Sequence, residues 1–265
     1  RAVAMKITVA DEDANSRREA DILKYLFPAD SDASEHPGKQ HVLRLLDHFE
    51  IKGPNGTHQV LVTDVLVPLE SLQDMSLKDT SFDWKRACYE SLLGLSYLAH
   101  KGIVHGDLHT SNIAFSFPAL NTLTGQKVAS LMDMISFPVL PRRMEDQSDS
   151  LPKYLIERAD FFTLMGDLIG KHGTRGTHAV IVDFGLGGDD KVLATMEQVT
   201  TALCEISGIE GATTISPKTS RLRCDKVLAE LLSHMLRMNP AERQAPEILL
   251  NSPWFDSVKG ETTMP

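Results

Sequence analysis

Apolar positions recur along the first part of the chain at two different spacings, one typical of strands and one typical of helices. Residues 2–9, AVAMKITV, predict a strand, and residues 16–27 predict a helix with Ser16 as its N-cap. Residues 41–51 and 57–67 predict two further strands around the turn-forming sequence KGPNGT. This part of the chain is therefore expected to form a small unit of strands and one helix.

The pattern turns helical in the second part of the chain. Residues 83–102 carry apolar side chains at helical spacing and end at a glycine, so they predict a long helix. Residues 116–177 are rich in Pro, Gly, Ser and charges, which predicts loops, with one helix over 154–170. Residues 177–188, THAVIVDFGLGG, predict a strand that ends in a glycine-rich turn. Amphipathic helices are expected over 192–206 and 226–236.

Composition narrows the classes of protein that remain. The formal net charge is -9, which argues against a nucleic-acid-binding surface. The apolar runs are far shorter than the roughly 20 residues that a membrane span needs. The three cysteines are scattered without metal-binding spacing, as expected in a reducing compartment. We therefore expect an intracellular protein, cytoplasmic or nuclear, without a membrane segment, and a start at Arg1 that is cut from a longer chain.

Three polar residues carry the candidate chemistry. Asp107 lies on a polar loop after the long predicted helix, where a carboxylate can accept or orient a hydroxyl proton. Asn112, five positions later, can turn back to the same cavity and bind a metal through its amide oxygen. Asp183, in the Asp-Phe-Gly at the end of a strand, supplies the hard anionic ligand that Mg²⁺ prefers. Lys6 and Glu19 lie on a strand and a helix that could provide a phosphate-binding cation and its anionic partner.

These motifs, taken in order, resemble those of the eukaryotic protein kinase family. The strand motif VAMK, the helix READIL, the loop HGDLHTSN and the turn VDFGLG each have a counterpart there. The later run NPAERQAPEILLNSPWF is similar to the closing segment of the family, with Arg243 in the place of a structural arginine and Pro253 and Trp254 as the helix-ending pair. The ordered set is more specific than any one motif.

The resemblance implies an α+β, protein-kinase-like bilobal fold with a truncated N-lobe and a mainly helical C-lobe. Residues 1–67 would form the partial N-lobe, because the first strands and the glycine-rich loop would lie before Arg1. Residues 68–265 would form the C-lobe, with an insertion at about 116–177 and a shortened activation and substrate-binding region.

The same resemblance implies an ATP-dependent protein serine/threonine kinase that uses ATP and Mg²⁺. Asp107, His109 and Asn112 would form the catalytic loop, and Asn112 and Asp183 would bind the metal. The run HGDLHTSNIAFSFPAL is most similar to fungal kinases related to the SR-protein kinases, which implies a protein substrate with serines or threonines near arginines. The residues implied to bind the nucleotide are Lys6, Glu19, Thr63, Asp64 and Leu66.

Two departures from the family pattern keep other functions open. Gly106 replaces the usual arginine, which removes the cation that reads a phosphorylated activation loop. His109 replaces the usual lysine, and a mostly neutral imidazole supplies less charge to a phosphate. It is equally expected that His109 lies on a solvated turn and contacts no phosphate. The alternatives are a catalytically inactive, pseudokinase-like binding protein and a small-molecule phosphotransferase, whose relatives also write this loop Gly-Asp-Leu-His.

Overall fold

The computed structural model describes most of the first 185 residues and a shorter part of the rest, and every structural statement below concerns these residues. The described ranges are 2–10, 15–28, 36–69, 83–131, 135–143, 151–157, 161–174, 176–185, 227, 230–231 and 244–259. They contain both helices and strands, in a mixed α and β architecture. No helix within these ranges is long and apolar enough to cross a membrane.

The first sheet has three antiparallel strands in the order β1-β3-β2. These are β1 (Val3–Ile7), β2 (Leu45–Gly53) and β3 (Gly56–Asp64), of which the last two form a hairpin. Helix α1 (Asn15–Leu26) packs against this sheet through its buried apolar side chains. The prediction that Ser16 is the N-cap is wrong, because the helix already includes Asn15 and Ser16 lies in its first turn.

The second sheet joins distant parts of the chain. It contains β4 (Leu66–Pro68), β5 (Ile113–Ser116) and β8 (His178–Ile181), all antiparallel, in the order β4-β5-β8. Helix α2 (Trp84–His100) packs against β8, and its N-cap Asp83 accepts a hydrogen bond from a first-turn backbone N–H. The strand predicted over 57–67 is thus divided between β3 and β4, one in each sheet.

A short 3₁₀ helix, Pro37–His41, lies directly on α2. Gly38 permits this close approach, because a Cβ atom there would lie 1.8 Å from the carbonyl oxygen of Leu93. Leu43 follows this 3₁₀ helix by two residues, and its backbone N–H donates to the carbonyl of Ile181 at 2.9 Å. The segment just before β2 is therefore attached to the end of β8.

The segment 116–177 contains more regular structure than its loop-rich composition predicts. The helix expected over 154–170 is only partly correct, because Tyr154–Ile156 pairs as a strand with Ser136–Pro138. The described elements are a 3₁₀ helix (Pro118–Thr122), α3 (Gly125–Leu131), β6 (Ser136–Pro138), β7 (Tyr154–Ile156) and α4 (Phe162–His172).

The described C-terminal part packs against α2. It contains α5 (Pro246–Leu249) and a 3₁₀ helix, Pro253–Phe255, which includes the predicted Pro-Trp pair. Proline occupies the first turn of both helices, where its missing N–H costs nothing. Arg243, the helix predicted over 192–206 and most of that predicted over 226–236 lie outside the described residues.

Two buried side chains hold strand β8 by its backbone at Ala179. Glu90 of α2 accepts a hydrogen bond from the Ala179 N–H at 2.7 Å and another from Arg86 Nε at 2.8 Å. His41 Nδ1 donates to the Ala179 carbonyl at 2.9 Å, while its Nε2 lies 3.3 Å from the side-chain amide of Gln40 and accepts from it. Burial raises the pKa of Glu90 and lowers the pKa of His41 to about 4, so this histidine is neutral at pH 7.

We expect the buried His41 to make the protein less stable in weak acid. Its pKa falls from 6.5 to about 4 on folding, so the unfolded chain takes up a proton first as the pH falls. This residue alone should lower the free energy of unfolding by about 2 kcal/mol between about pH 7.5 and pH 5. Urea unfolding at both pH values measures the loss of free energy of unfolding. We expect this loss to be smaller in His41→Asn. An equal loss in the variant would contradict this account.

Candidate functional site

Lys6 joins the first sheet to two acidic side chains from other parts of the chain. Its Nζ atom lies 2.7 Å from Glu19 Oε2 on α1 and 2.7 Å from Asp183 Oδ1, just after β8. Glu19 is almost fully buried, whereas half of the Lys6 and Asp183 side-chain surface is exposed. The second oxygen of Glu19 lies 3.4 Å from the backbone nitrogen of Phe184 and accepts its hydrogen. Glu19 therefore orients both the lysine and the segment that carries Asp183.

The charges of this group stabilise one another. Burial would raise the pKa of Asp183, but the hydrogen bond and the charge of Lys6 outweigh it and hold that pKa below its usual value. Burial would likewise lower the pKa of Lys6, and the hydrogen bonds to Asp183 and Glu19 raise it instead. At pH 7 the site thus presents an ammonium and an ionised carboxylate side by side at the surface.

The loop that carries Asp107 is attached to the same segment through Val182. His105 Nε2 donates to the Val182 carbonyl at 2.9 Å, and the Val182 N–H donates to the carbonyl of Asn112, also at 2.9 Å. Within the loop, the Asn112 amide nitrogen donates to the Asp107 carbonyl at 2.7 Å. Because Val182 directly precedes Asp183, these bonds fix the loop relative to that carboxylate.

His105 has a structural role in the loop that carries Asp107. It is buried, its Nδ1 accepts the Asp107 N–H at 3.3 Å, and its ring packs on Phe184 with the centroids 4.9 Å apart. Burial lowers the pKa of His105, so the ring is neutral and carries its hydrogen on Nε2. The His105 side chain therefore holds the loop of Asp107 against Val182 and Phe184.

Two backbone positions in the site lie in the left-handed region. Asp183 has φ 67°, which a residue other than glycine rarely adopts, although Asp and Asn tolerate it better than most. Such conformations concentrate at functional sites, where the surrounding contacts maintain them. Gly106 has φ 81°, a backbone conformation that glycine adopts more readily than arginine does. This conformation explains why glycine replaces the usual arginine at this position.

His109 turns towards its own loop. Its Nδ1 accepts the backbone N–H of Ser111 at 3.2 Å, and its Nε2 lies 3.8 Å from Asp107 Oδ2. Both side chains remain close to half exposed. The imidazole is thus adjacent to the candidate catalytic carboxylate, a contact that the sequence did not predict.

The predicted site residues fall into three groups in the structure. One contains Lys6, Glu19 and Asp183, and a second contains Asp107, His109 and Asn112, attached to the first through Val182. The third group lies at the junction of β3 and β4, where Asp64 and Leu66 border a separate cavity and the Thr63 hydroxyl donates to the Asp64 carbonyl.

The residues that would hold Mg²⁺ fit the ion by their chemistry. Asp183 offers a carboxylate and Asn112 a carboxamide oxygen, which are the hard oxygen donors that Mg²⁺ prefers. Among the described residues, no cluster of three or more His, Cys, Asp or Glu side chains could form a metal cage by itself. Mg²⁺ does not require such a cage, since it keeps several waters and binds through one or two protein ligands and substrate phosphates.

Comparison with known proteins identifies relatives of this chain. It is 35% identical over 117 residues to serine/threonine-protein kinase SKY1 of Saccharomyces cerevisiae and 34% identical over 119 residues to protein kinase dsk1 of Schizosaccharomyces pombe. The chain is related to fungal serine/threonine protein kinases. The predicted resemblance to kinases of the SR-protein-kinase type is thereby confirmed. A serine/threonine protein kinase of Aspergillus fumigatus is a further relative, 33% identical over 111 residues.

The relation to these kinases covers part of each protein. The three matches span 42%, 43% and 40% of this chain but only 16%, 21% and 27% of the respective relatives. No protein-family model matches the chain. The chain thus spans about a quarter or less of the length of these relatives, and its activity, substrates and partners are matters of proposal.

Proposed function

We propose that the chain is the catalytic part of a protein serine/threonine kinase that transfers a phosphoryl group from ATP to a protein hydroxyl. The observation that carries this proposal is the ion-paired group of Lys6, Glu19 and Asp183, attached through Val182 to the loop of Asp107. A lysine held by a buried helix glutamate, beside an aspartate at the end of a strand, is the arrangement that positions nucleotide phosphates in kinases.

The proposed organisation is bilobal. The sheet β1-β3-β2 with α1 would be the partial N-lobe, residues 1–67, and the second sheet with α2 would begin the C-lobe, residues 68–265. Strand β4 marks the boundary between them. The segment 116–177 connects β5 to β8, two neighbouring strands, so it has the topology of an insertion into a hairpin.

In the proposed reaction each side chain has a separate task. Lys6 binds the nucleotide phosphates, and Glu19 keeps its ammonium in place. Asp107 orients the substrate hydroxyl and accepts its proton as the oxygen attacks the terminal phosphorus of ATP, whose bond to the bridging oxygen breaks so that ADP leaves. Asn112 and Asp183 would hold Mg²⁺, which supplies positive charge to the phosphates when bound. Positioning and charge account for the catalysis, since no covalent intermediate on the protein is needed.

The protein substrate is proposed to carry serine or threonine near arginine, in keeping with the kinase type of the relatives. The chain is acidic overall, with 36 acidic against 27 basic residues, and such a surface attracts basic peptides. A specific observation favours the inactive, binding-only alternative. The His109 ring lies beside Asp107 in the same loop, at the position where the kinase pattern has a lysine.

Transfer of labelled phosphate tests the proposed function. We expect Mg²⁺-dependent phosphorylation of an arginine-serine peptide, because the peptide carries the complementary charge and the acceptor hydroxyl. A peptide with alanine in place of serine is the matched control. Transfer to choline or an aminoglycoside, without transfer to the peptide, would instead favour the small-molecule phosphotransferase, and no transfer to any acceptor would favour the binding protein.

A further inference from the structure

The hairpin of β6 and β7 exposes apolar side chains on both of its faces. Leu155 lies opposite Phe137 on one face, and Tyr154 and Ile156 lie on the other. These side chains are between 53% and 59% exposed. Within the described part of the chain, β7 pairs with β6 alone. A hairpin of two strands is at best marginally stable in water, so a further strand at its edge would stabilise it.

The backbone of β7 presents hydrogen-bonding groups at its outer edge. The carbonyl of Lys153 and the N–H of Glu157 both bond to residues that flank β6, so these groups point towards that strand. Hydrogen-bonded and non-hydrogen-bonded pairs alternate along an antiparallel ladder, and the backbone groups of Leu155 therefore point to β6 as well. The N–H and C=O groups of Tyr154 and Ile156 point outwards, where another strand would meet them.

The outer edge of β6 is protected in a way that the edge of β7 is not. Pro138 is paired with Tyr154, so by the same alternation its backbone nitrogen lies on the outer side of β6. Proline has no N–H to donate, and it is one of the residues with which proteins block the pairing of an edge strand. Residues 153–157 contain no proline. An added strand is therefore expected on β7.

The sequence of β7 and its two flanking residues is complementary to itself. Residues 153–157 read KYLIE, in which opposite charges flank an apolar strand, and both charged side chains are exposed. When two such strands run antiparallel with Leu155 at the centre, Lys153 of one copy lies opposite Glu157 of the other. Tyr154 then lies opposite Ile156, an aromatic and β-branched pair that stabilises sheets. A two-fold axis repeats each contact, as it does in isologous interfaces.

The same alignment also satisfies the backbone. Tyr154 and Ile156, whose groups point outwards from β7, become the hydrogen-bonded pair across the two-fold axis. Lys153 and Glu157 fall in non-hydrogen-bonded pairs, where opposite side chains approach each other more closely. The direction of the backbone groups and the order of the charges thus specify one and the same register.

We propose that β7 pairs with β7 of a second copy of this chain, antiparallel and centred on Leu155, so that the two hairpins form one continuous sheet. The contact is small and its ion pairs are exposed, so we expect a dimer that forms as the protein concentration rises. The proposal goes beyond phosphoryl transfer, because it uses none of the residues assigned to that reaction.

Sedimentation equilibrium from micromolar to millimolar concentration tests the proposal. The mass of the unaltered chain should rise from one towards two chain masses. Lys153→Glu and Glu157→Lys should each weaken association by about tenfold or more, because each places like charges opposite one another at both ends of the paired strands. The double variant, in which the two charges are exchanged, should associate like the unaltered chain. Lys127→Glu reverses an exposed charge on α3 and is the matched control.

An equimolar mixture of the two single variants tests the register itself. One variant carries two anionic residues around β7 and the other carries two cationic residues, so each charge again has an opposite partner in the mixed dimer. The mixture should associate as tightly as the unaltered chain, although neither variant does so alone. Both variants keep a net negative charge, so long-range attraction between them does not account for this result.

Three results would overturn the proposal. A mass that stays at one chain up to millimolar concentration would show that β7 does not pair with a second copy. Association that both single variants retain, or that their mixture fails to recover, would contradict the register. A mass that rises beyond two chains would show open-ended association through the apolar faces of the hairpin. Far-ultraviolet circular dichroism and thermal melting establish that each variant is folded before it is scored.

Discussion

Replacing Asp107 with asparagine is expected to lower the rate of phosphoryl transfer by about 10²- to 10⁴-fold, the usual contribution of a positioned general base. The amide has the shape of the carboxylate but cannot accept the hydroxyl proton. The two backbone contacts of Asp107, its N–H to His105 and its carbonyl to Asn112, do not involve the side chain and should persist. ATP affinity should therefore remain within a few fold of that of the unaltered chain.

Rates of transfer under single-turnover conditions, together with calorimetric ATP affinity, measure this split. Asp167→Asn is the matched control, since Asp167 pairs with Lys171 on the surface of α4. This pair does not include any of the residues assigned to phosphoryl transfer. The control should transfer phosphate at the unaltered rate. If Asp107→Asn also retained that rate, Asp107 could not be the base and the proposed mechanism would be wrong.

The second large effect is expected on nucleotide binding. Lys6→Met removes the ammonium that bridges Glu19 and Asp183 and that would contact the phosphates. A charge-assisted hydrogen bond contributes about 1.5–3 kcal/mol, so ATP should bind about 10- to 100-fold more weakly. Loss of Lys6 also frees an oxygen of Asp183, so Mg²⁺ without nucleotide should bind at least as tightly as before.

Opposite responses of the two ligands separate this effect from simple destabilisation. A variant that merely unfolds more easily would lose affinity for ATP and Mg²⁺ together, because both depend on the folded site. Lys171→Met, which removes a lysine from a surface pair on α4, should change neither affinity. Unchanged ATP binding in Lys6→Met would show that the phosphates bind elsewhere.

Local sequence pattern was sufficient to predict the elements that carry the proposed site. A strand contains Lys6, a helix contains Glu19, and a strand ends shortly before Asp183, because each element has a clear apolar period and a recognisable end. The pattern failed at Tyr154–Ile156, where consecutive apolar residues fit a helix or a strand equally well and pairing with a distant strand decides.

Long-range polar contacts could not be predicted from the spacing of residues. The hydrogen bonds from Glu90 and His41 to Ala179 join segments far apart in the chain, and no local pattern encodes them. A signal was nevertheless present, since Glu90 interrupts the apolar face of α2 and a buried carboxylate requires a partner. The direct contact of Lys6 with Asp183 likewise depends on where the segment after β8 lies relative to β1.

Calorimetric titration of ATP, with and without Mg²⁺, tests the central claim most directly. We use Asp183→Asn as the comparison because asparagine tolerates the positive φ of this position, whereas alanine would add backbone strain. The account predicts binding that requires Mg²⁺ in the unaltered chain and is strongly weakened in the variant. No binding in the unaltered chain, or equal binding in both proteins without regard to Mg²⁺, would contradict a nucleotide and metal site built on Lys6 and Asp183.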